Sequence, residues 1–311
     1  VSFGGVMAVA VIAVGGGSAI DTAKNIKLFS ALDKDKNYLE QEFVYSPVKS
    51  MAIPTTAGTG SESTRFSVLY FNNEKQSISH DSIVPEYVFL EPEFLETLPA
   101  YQKKSTMLDA MCQCIEAIWS VNSNQKCRDY AQKGLQLIVD NILPYLKGDR
   151  ESFKKMMQAA NFSGKAINIS QTTAAHAMSY KLTSMYGIAH GHAVSLCLPA
   201  VWRFMLENMD KTAEGITVGH IRSALEIYKD VFGIKSAHDI DVAEQFEFIL
   251  DLIGLEAPEL KNQDDIEILT DSVNPVRLGN NPIVLSRDDI RQLYKEIFGL
   301  NDSEDNPESK K

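Results

Sequence analysis

The sequence is short of the residues that mark a disulfide scaffold, a nucleic-acid binder or a membrane span. Cysteine occurs four times, at Cys112, Cys114, Cys127 and Cys197, without zinc-finger spacing, so reduced thiols in a cytoplasmic protein are expected. Basic residues are outnumbered, 30 Lys and Arg against 41 Asp and Glu, for a net charge of -11. No basic stripe is present, which argues against nucleic acid and anionic membrane as partners. No apolar run reaches the roughly 18–20 residues of a membrane span, and no signal peptide is visible. The GxGxxG dinucleotide fingerprint is also missing. There is no initiator methionine. The chain opens almost inside an apolar strand, "VSFGGVMAVAVIAVGGGS", and is expected to lack the N-terminal part of a longer protein.

What is present suits a globular protein of one large or two medium domains: 311 residues, 44% hydrophobic and 23% charged. "VMAVAVIAV" (6–14) is an unbroken apolar run that predicts a parallel strand buried on both faces. Three glycines follow, then "SAIDTAKNIKLFSAL", in which Ala19, Ala23 and Ile26 recur at helical spacing. A second short strand ends at Ile53 before a Thr/Gly/Ser loop, and "YVFLEP" (87–92) predicts another buried strand. After Leu98–Pro99 the pattern turns to period 3.6. The expected architecture is therefore an α/β domain over 1–98, an all-α domain over 99–300 and a disordered polar tail over 301–311.

Four segments carry chemistry. Gly15, Gly16 and Gly17 lie between strand and helix, where bare backbone and a helix N-terminus can cradle a pyrophosphate or simply make a tight turn. "PTTAGTGSES" puts Thr55, Thr56 and Thr59 at the carboxyl end of a parallel strand, the end at which open α/β sheets bind ligands. On "LDAMCQCIEAIW", Asp109 and Gln113 are i,i+4 and share a helix face beside the apolar Leu108, Cys112, Ile115 and Trp119. A carboxylate there is either structural or a metal ligand. Finally, three of six histidines, His176, His190 and His192, fall within "AAHAMSYKLTSMYGIAHGHAV" (174–194). His176 and His190 can converge if the chain turns near Gly187. With Asp109 they make a His₂–carboxylate set with open positions, typical of a catalytic Fe²⁺ or Zn²⁺ centre.

Taken in order, "GGGSAIDTAK", "PTTAGTGSE", "DAMCQCIEA" and "HAMSYKLTSMYGIAHGHAVSLCLP" resemble the iron-containing (group III) alcohol dehydrogenase family over nearly the whole chain. The resemblance implies a dehydroquinate synthase-like architecture: a dinucleotide-binding α/β domain, truncated here, then a helical metal domain. It implies NAD(H) or NADP(H) as cofactor, with Gly16, Gly17 and Ser18 at the pyrophosphate, Asp21 nearby, Thr55, Thr56 and Thr59 on the nicotinamide side and Lys75 near the ribose. It implies Fe²⁺ or Zn²⁺ on Asp109, His176 and His190. Gln113 stands where the family places a fourth ligand, a histidine, so its amide oxygen or a water completes the shell. Tyr180 replaces a second family histidine near the nicotinamide; it and His192 are the candidate proton-handling residues. A small aldehyde or alcohol substrate and a homodimer are expected. Several segments, "RLGNNPIVLS" among them, look most like the phosphonoacetaldehyde reductase branch. A phosphonate would need a cation, for which Arg65, Lys181 and above all Arg277 are candidates. A sugar-acid alcohol oxidase, a dehydroquinate synthase-like lyase and a non-catalytic homologue with a degraded metal site are the alternatives.

Overall fold

The computed structural model describes residues 10–71, 74–262 and 264–300. Residues 6–9 of the first expected strand and the expected tail at 301–311 lie outside them. The chain divides into two compact units. One takes the residues up to Cys114 together with Lys126–Ile169; the other takes Ile115–Gln125 together with the residues from Ser170 onward.

The first unit begins β1 (Ala10–Gly15), α1 (Gly17–Phe29), β2 (Lys49–Pro54), the hairpin β3 (Phe66–Phe71) and β4 (Glu74–Ser79), and β5 (Tyr87–Val88). Strands β1, β2 and β5 form a parallel sheet in the order β1-β2-β5. The β1–β2 register runs from Ala10↔Lys49 to Gly15↔Pro54, so both strands end side by side and their following loops are neighbours. Helix α1 packs on this sheet through Ile20 against Ala13 and Ala52. Two buried lysines secure it further. Lys24 Nζ donates to Ser61 Oγ (2.9 Å), Thr64 Oγ1 (3.0 Å) and the Phe66 carbonyl (2.8 Å). Lys27 Nζ reaches Glu86 Oε1 at 2.8 Å and Ser50 Oγ at 3.2 Å. A buried ammonium is tolerated only with partners of this kind. The unit also contains α2 (Ala100–Trp119) as far as Cys114, then α3 (Gln125–Leu146) and α4 (Arg150–Ser170) from Lys126 to Ile169.

Two strand expectations need correction. The first strand is not buried on both faces: Ile12 is 64% and Val14 55% exposed, while Ala13 between them is buried. Alternation sends Ala13 under α1 and leaves its neighbours on the side that α1 does not cover. β5 is two residues long, and Tyr87, Val88 and Phe89 are exposed, so "YVFLEP" is a short edge strand rather than a buried one.

The second unit is helical. It takes the end of α2 and then α5 (Ala174–Tyr186), α6 (His190–Glu207), α7 (Val218–Phe232), α8 (Asp241–Ile253), α9 (Asp265–Asp271), α10 (Pro275–Leu278) and α11 (Arg287–Ile297). Helix α6 packs against α5, α8 and α11. Its core includes Trp119, Trp202 and Tyr228, edge-on to one another with ring centroids 4.9–6.1 Å apart. Tyr228 Oη donates to the Ile115 carbonyl (2.8 Å), and His220 Nε2 to that of Trp119 (2.8 Å). These bonds use carbonyls at the C-terminal end of α2 and so fix it in this unit. The four cysteines are buried, and no disulfide forms among the described residues. Among the described residues no helix is long and apolar enough to cross a membrane.

Candidate active site

The loops after β1 and β2 lie against each other, as the strand register requires. Thr55 N donates to the Gly15 carbonyl (3.0 Å), and Gly16 is the N-cap of α1. A Cβ on Gly17 would come within 2.8 Å of Thr59 Cγ2. Glycine is therefore needed where the helix N-terminus meets the threonine loop. Ser18 is exposed in the first turn of α1, and Thr55, Thr56 and Thr59 are half-buried. The free N–H groups of that turn, the hydroxyls and the exposed backbone fit an anion carrying a ribose or amide. Asp21 is otherwise engaged: Oδ1 accepts from Ser61 Oγ (2.5 Å) and Oδ2 from Val68 N (3.0 Å). Lys75 pairs with Tyr70 in the β3–β4 hairpin.

Asp109 and Gln113, both buried, are bonded to each other on α2. Gln113 Nε2 donates to Asp109 Oδ1 (3.2 Å) and to the Thr59 carbonyl (3.3 Å), and its Oε1 accepts from Ser163 Oγ (2.8 Å). Both neighbours of the Nε2 end are acceptors, so the amide is chemically fixed in this sense. Its oxygen belongs to Ser163.

In the helical unit, α5 ends at Gly187 in the left-handed conformation (φ 70°), and α6 starts three residues later at His190. This turn brings together two rings fourteen positions apart in sequence. His176 and His190 meet at 5.4 Å with planes at 70°, and Tyr180 stacks on His190 at 5.7 Å with planes at 8°. Behind His176 lies Glu116, fully buried. Its Oε1 accepts from Thr173 N (3.1 Å), Thr173 Oγ1 (2.7 Å), Ala175 N (3.0 Å) and His176 N (3.3 Å), so it caps α5. Its Oε2 takes the ring Nδ1 of His176. Burial opposes ionisation of Glu116, but the His176 ring, the Thr173 hydroxyl and the His176 backbone N–H together hold its carboxyl below the usual glutamate range.

The remaining candidates separate. His192, two residues into α6, donates Nε2–H to the Glu256 carbonyl (3.0 Å); burial lowers its basicity. Arg65 pairs with Asp81 (3.6 Å). Arg277, on α10, is half-buried and makes no ion pair among the described residues; its Nη1 donates to Gln171 Oε1 (3.4 Å). Among the described residues Gln171 is the one non-glycine with positive φ (60°), and such strain collects at ligand sites. The adjoining turn is held by Asn280 Nδ2 on the Thr172 carbonyl (3.1 Å) and Asn122 Nδ2 on that of Ser170 (3.4 Å). Sequence reading missed Glu116 and Gln171. Glu116 lies seven positions after Asp109 on α2, but nothing local in the sequence marks it out, because its partners are distant along the chain.

Residues 6–92 match the family model of iron-containing alcohol dehydrogenase, and residues 103–298 that of the Fe-containing alcohol dehydrogenase family, C-terminal. The chain belongs to the iron-containing alcohol dehydrogenase family. It is 29% identical over 300 residues to a phosphonoacetaldehyde reductase of Streptomyces viridochromogenes, covering 92% of this chain and 75% of the relative. It is 26% identical over 299 residues to an NADPH-dependent butanol dehydrogenase of Clostridium saccharobutylicum, covering 93% and 76%. Among solved structures it is similar to the sulfoacetaldehyde reductase of Bifidobacterium kashiwanohense in complex with NAD⁺, at TM-score 0.81 and 28% identity, covering 94% of this chain and 77% of that one. The α/β region with its parallel sheet, followed by helices, is thus the fold of this family. The protein is an oxidoreductase of a family that interconverts alcohols and aldehydes with NAD(P) and a divalent metal.

Proposed function

We propose that the protein reduces a small aldehyde bearing an anionic group to its alcohol. Hydride comes from NAD(P)H, and Asp109, His176 and His190 hold one divalent ion, Fe²⁺ or Zn²⁺. The observation that carries this reading is the imidazole pair on α5 and α6, with Glu116 behind one ring and Tyr180 against the other. His176 and His190 bring two imidazoles together in the helical unit, and the family resemblance adds the carboxylate of Asp109. The donor set fits: a carboxylate and two imidazoles suit Fe²⁺ or Zn²⁺, and three protein ligands leave a position open for substrate or water. Bound there, the ion would supply Lewis acidity to the carbonyl oxygen.

The chain's own residues do the rest. Gly16, Gly17 and Ser18 receive the pyrophosphate at the α1 N-terminus. Thr55, Thr56 and Thr59 border the nicotinamide, while Asp21 holds the second loop in place through Ser61. Gln113 orients Asp109 by hydrogen bond. Tyr180 hands a proton to the oxygen that becomes the alcohol, and His192 anchors the start of α6. Arg277, a planar donor without an acidic partner among the described residues, binds the anionic group. Two similar proteins are named for aldehydes with phosphonate or sulfonate groups, which supports the anionic class.

The test is NAD(P)H oxidation by phosphonoacetaldehyde, sulfoacetaldehyde, propanal and butanal. Higher kcat/KM for the charged pair is expected. Preference for the uncharged pair would overturn the substrate class.

A further inference from the structure

We propose that Glu116 is a positioning residue that fixes the tautomer of His176, so that its Nε2 carries the lone pair a metal needs. This rests on the metal reading above and adds a residue to it. Glu116 is 0% exposed and its two oxygens have different tasks. Oε1 faces one hydroxyl and three backbone N–H groups at the start of α5, and these N–H groups cannot reverse their polarity. Oε2 faces the ring Nδ1 of His176. An acceptor there demands Nδ1–H, and a neutral imidazole protonated on Nδ1 has its lone pair on Nε2. A carboxylate behind a metal-binding histidine is a recurring device for orienting the ring. Here the same carboxylate also caps the helix on which the ring sits. The Thr173 hydroxyl that helps hold Oε1 is itself fixed, accepting from Trp119 Nε1 at 2.9 Å. Ring orientation, helix entry and the aromatic core are therefore one connected network.

The substitution Glu116→Gln separates the two tasks. The amide oxygen must stay at the Oε1 position, because three backbone donors point there. The amide NH₂ is then driven to the Oε2 position, where it donates to Nδ1 and forces the proton to Nε2. The cap survives and the ligand is lost. The expected result is a fold retained by circular dichroism, with Zn²⁺ affinity reduced roughly 10–100-fold in competition with a chelating dye. Nitrogen chemical shifts of ¹⁵N-histidine-labelled, metal-free protein give the tautomer directly, with the His176 signal identified by its absence in His176→Asn. The parent should carry its proton on Nδ1 and the variant on Nε2. Parent-like Zn²⁺ affinity in Glu116→Gln, while His176→Asn loses Zn²⁺, would overturn the proposal. If Glu116→Gln does not fold, the parent spectrum alone decides: a proton on Nε2 contradicts the proposal and one on Nδ1 upholds it. Undiminished Zn²⁺ binding by His176→Asn would instead strike the metal reading, and the tautomer would still test Glu116.

Discussion

Gln113 donates its amide to Asp109 across 3.2 Å, one helical turn along α2, while Ser163 holds its oxygen. A residue standing where relatives were expected to place an imidazole ligand thus offers a donor to the ligand beside it. Replacing it by histidine should convert support into ligation. Gln113→His is expected to tighten Zn²⁺ binding roughly tenfold or more, because a neutral imidazole is a far better ligand for a borderline metal than an amide. Chelator-competition titration measures this. Unchanged affinity would mean that position 113 does not reach the ion.

Gly17 meets Thr59 where the two nucleotide loops touch. Gly17→Ala should push the threonine loop aside and weaken NAD(P)H binding. Gly17→Asp should weaken it roughly tenfold further, since a carboxylate would then face the pyrophosphate. Calorimetry on the two variants separates packing from charge. Equal losses would remove the phosphate from this position.

Lys24 provides a pH test of the first unit. Burial lowers its pKa from 10.5 to about 8, against the attraction of Asp21 and Glu62. Below pH 8 the ammonium is protonated in both states and its burial cost is present in full. Between about 8 and 10.5 the unfolded chain binds more protons than the folded one, so stability rises with pH. Relative to Lys24→Met, the parent should gain up to ~3 kcal/mol across that window in denaturant melts. A pH-independent difference would show that Lys24 titrates normally.

Much of this was legible in the sequence. The glycine turns, the Asp109–Gln113 pair and the helix break at Gly187 are local, and local spacing fixes them. Glu116 was not, because its partners lie 57 to 60 positions away and only the fold brings them to its carboxylate. The direction of the Gln113 amide depends on Ser163 and Thr59 in the same way. The first strand misled because an apolar run states a preference for burial and not what covers it: Ile12 and Val14 point away from α1. The motif also set Asp21 beside the cofactor, without revealing that Ser61 and Val68 would use both its oxygens.

Arg277 carries the substrate assignment. Arg277→Ala should reduce kcat/KM for phosphonoacetaldehyde roughly 100-fold, about 3 kcal/mol of charge-assisted hydrogen bonding, and spare butanal. Its bond to Gln171 is long, 3.4 Å, so its loss should scarcely change the melting temperature. Equal damage to both substrates would make Arg277 structural.

Metal dependence is the centre of the account, and reconstitution tests it most directly. Protein stripped with a chelator and then titrated with Fe²⁺ under anaerobic conditions, or with Zn²⁺, should regain aldehyde-dependent NAD(P)H oxidation. Recovery should saturate near about one ion per chain, as expected for a single three-ligand centre. Full activity in the stripped, metal-free protein would contradict the account.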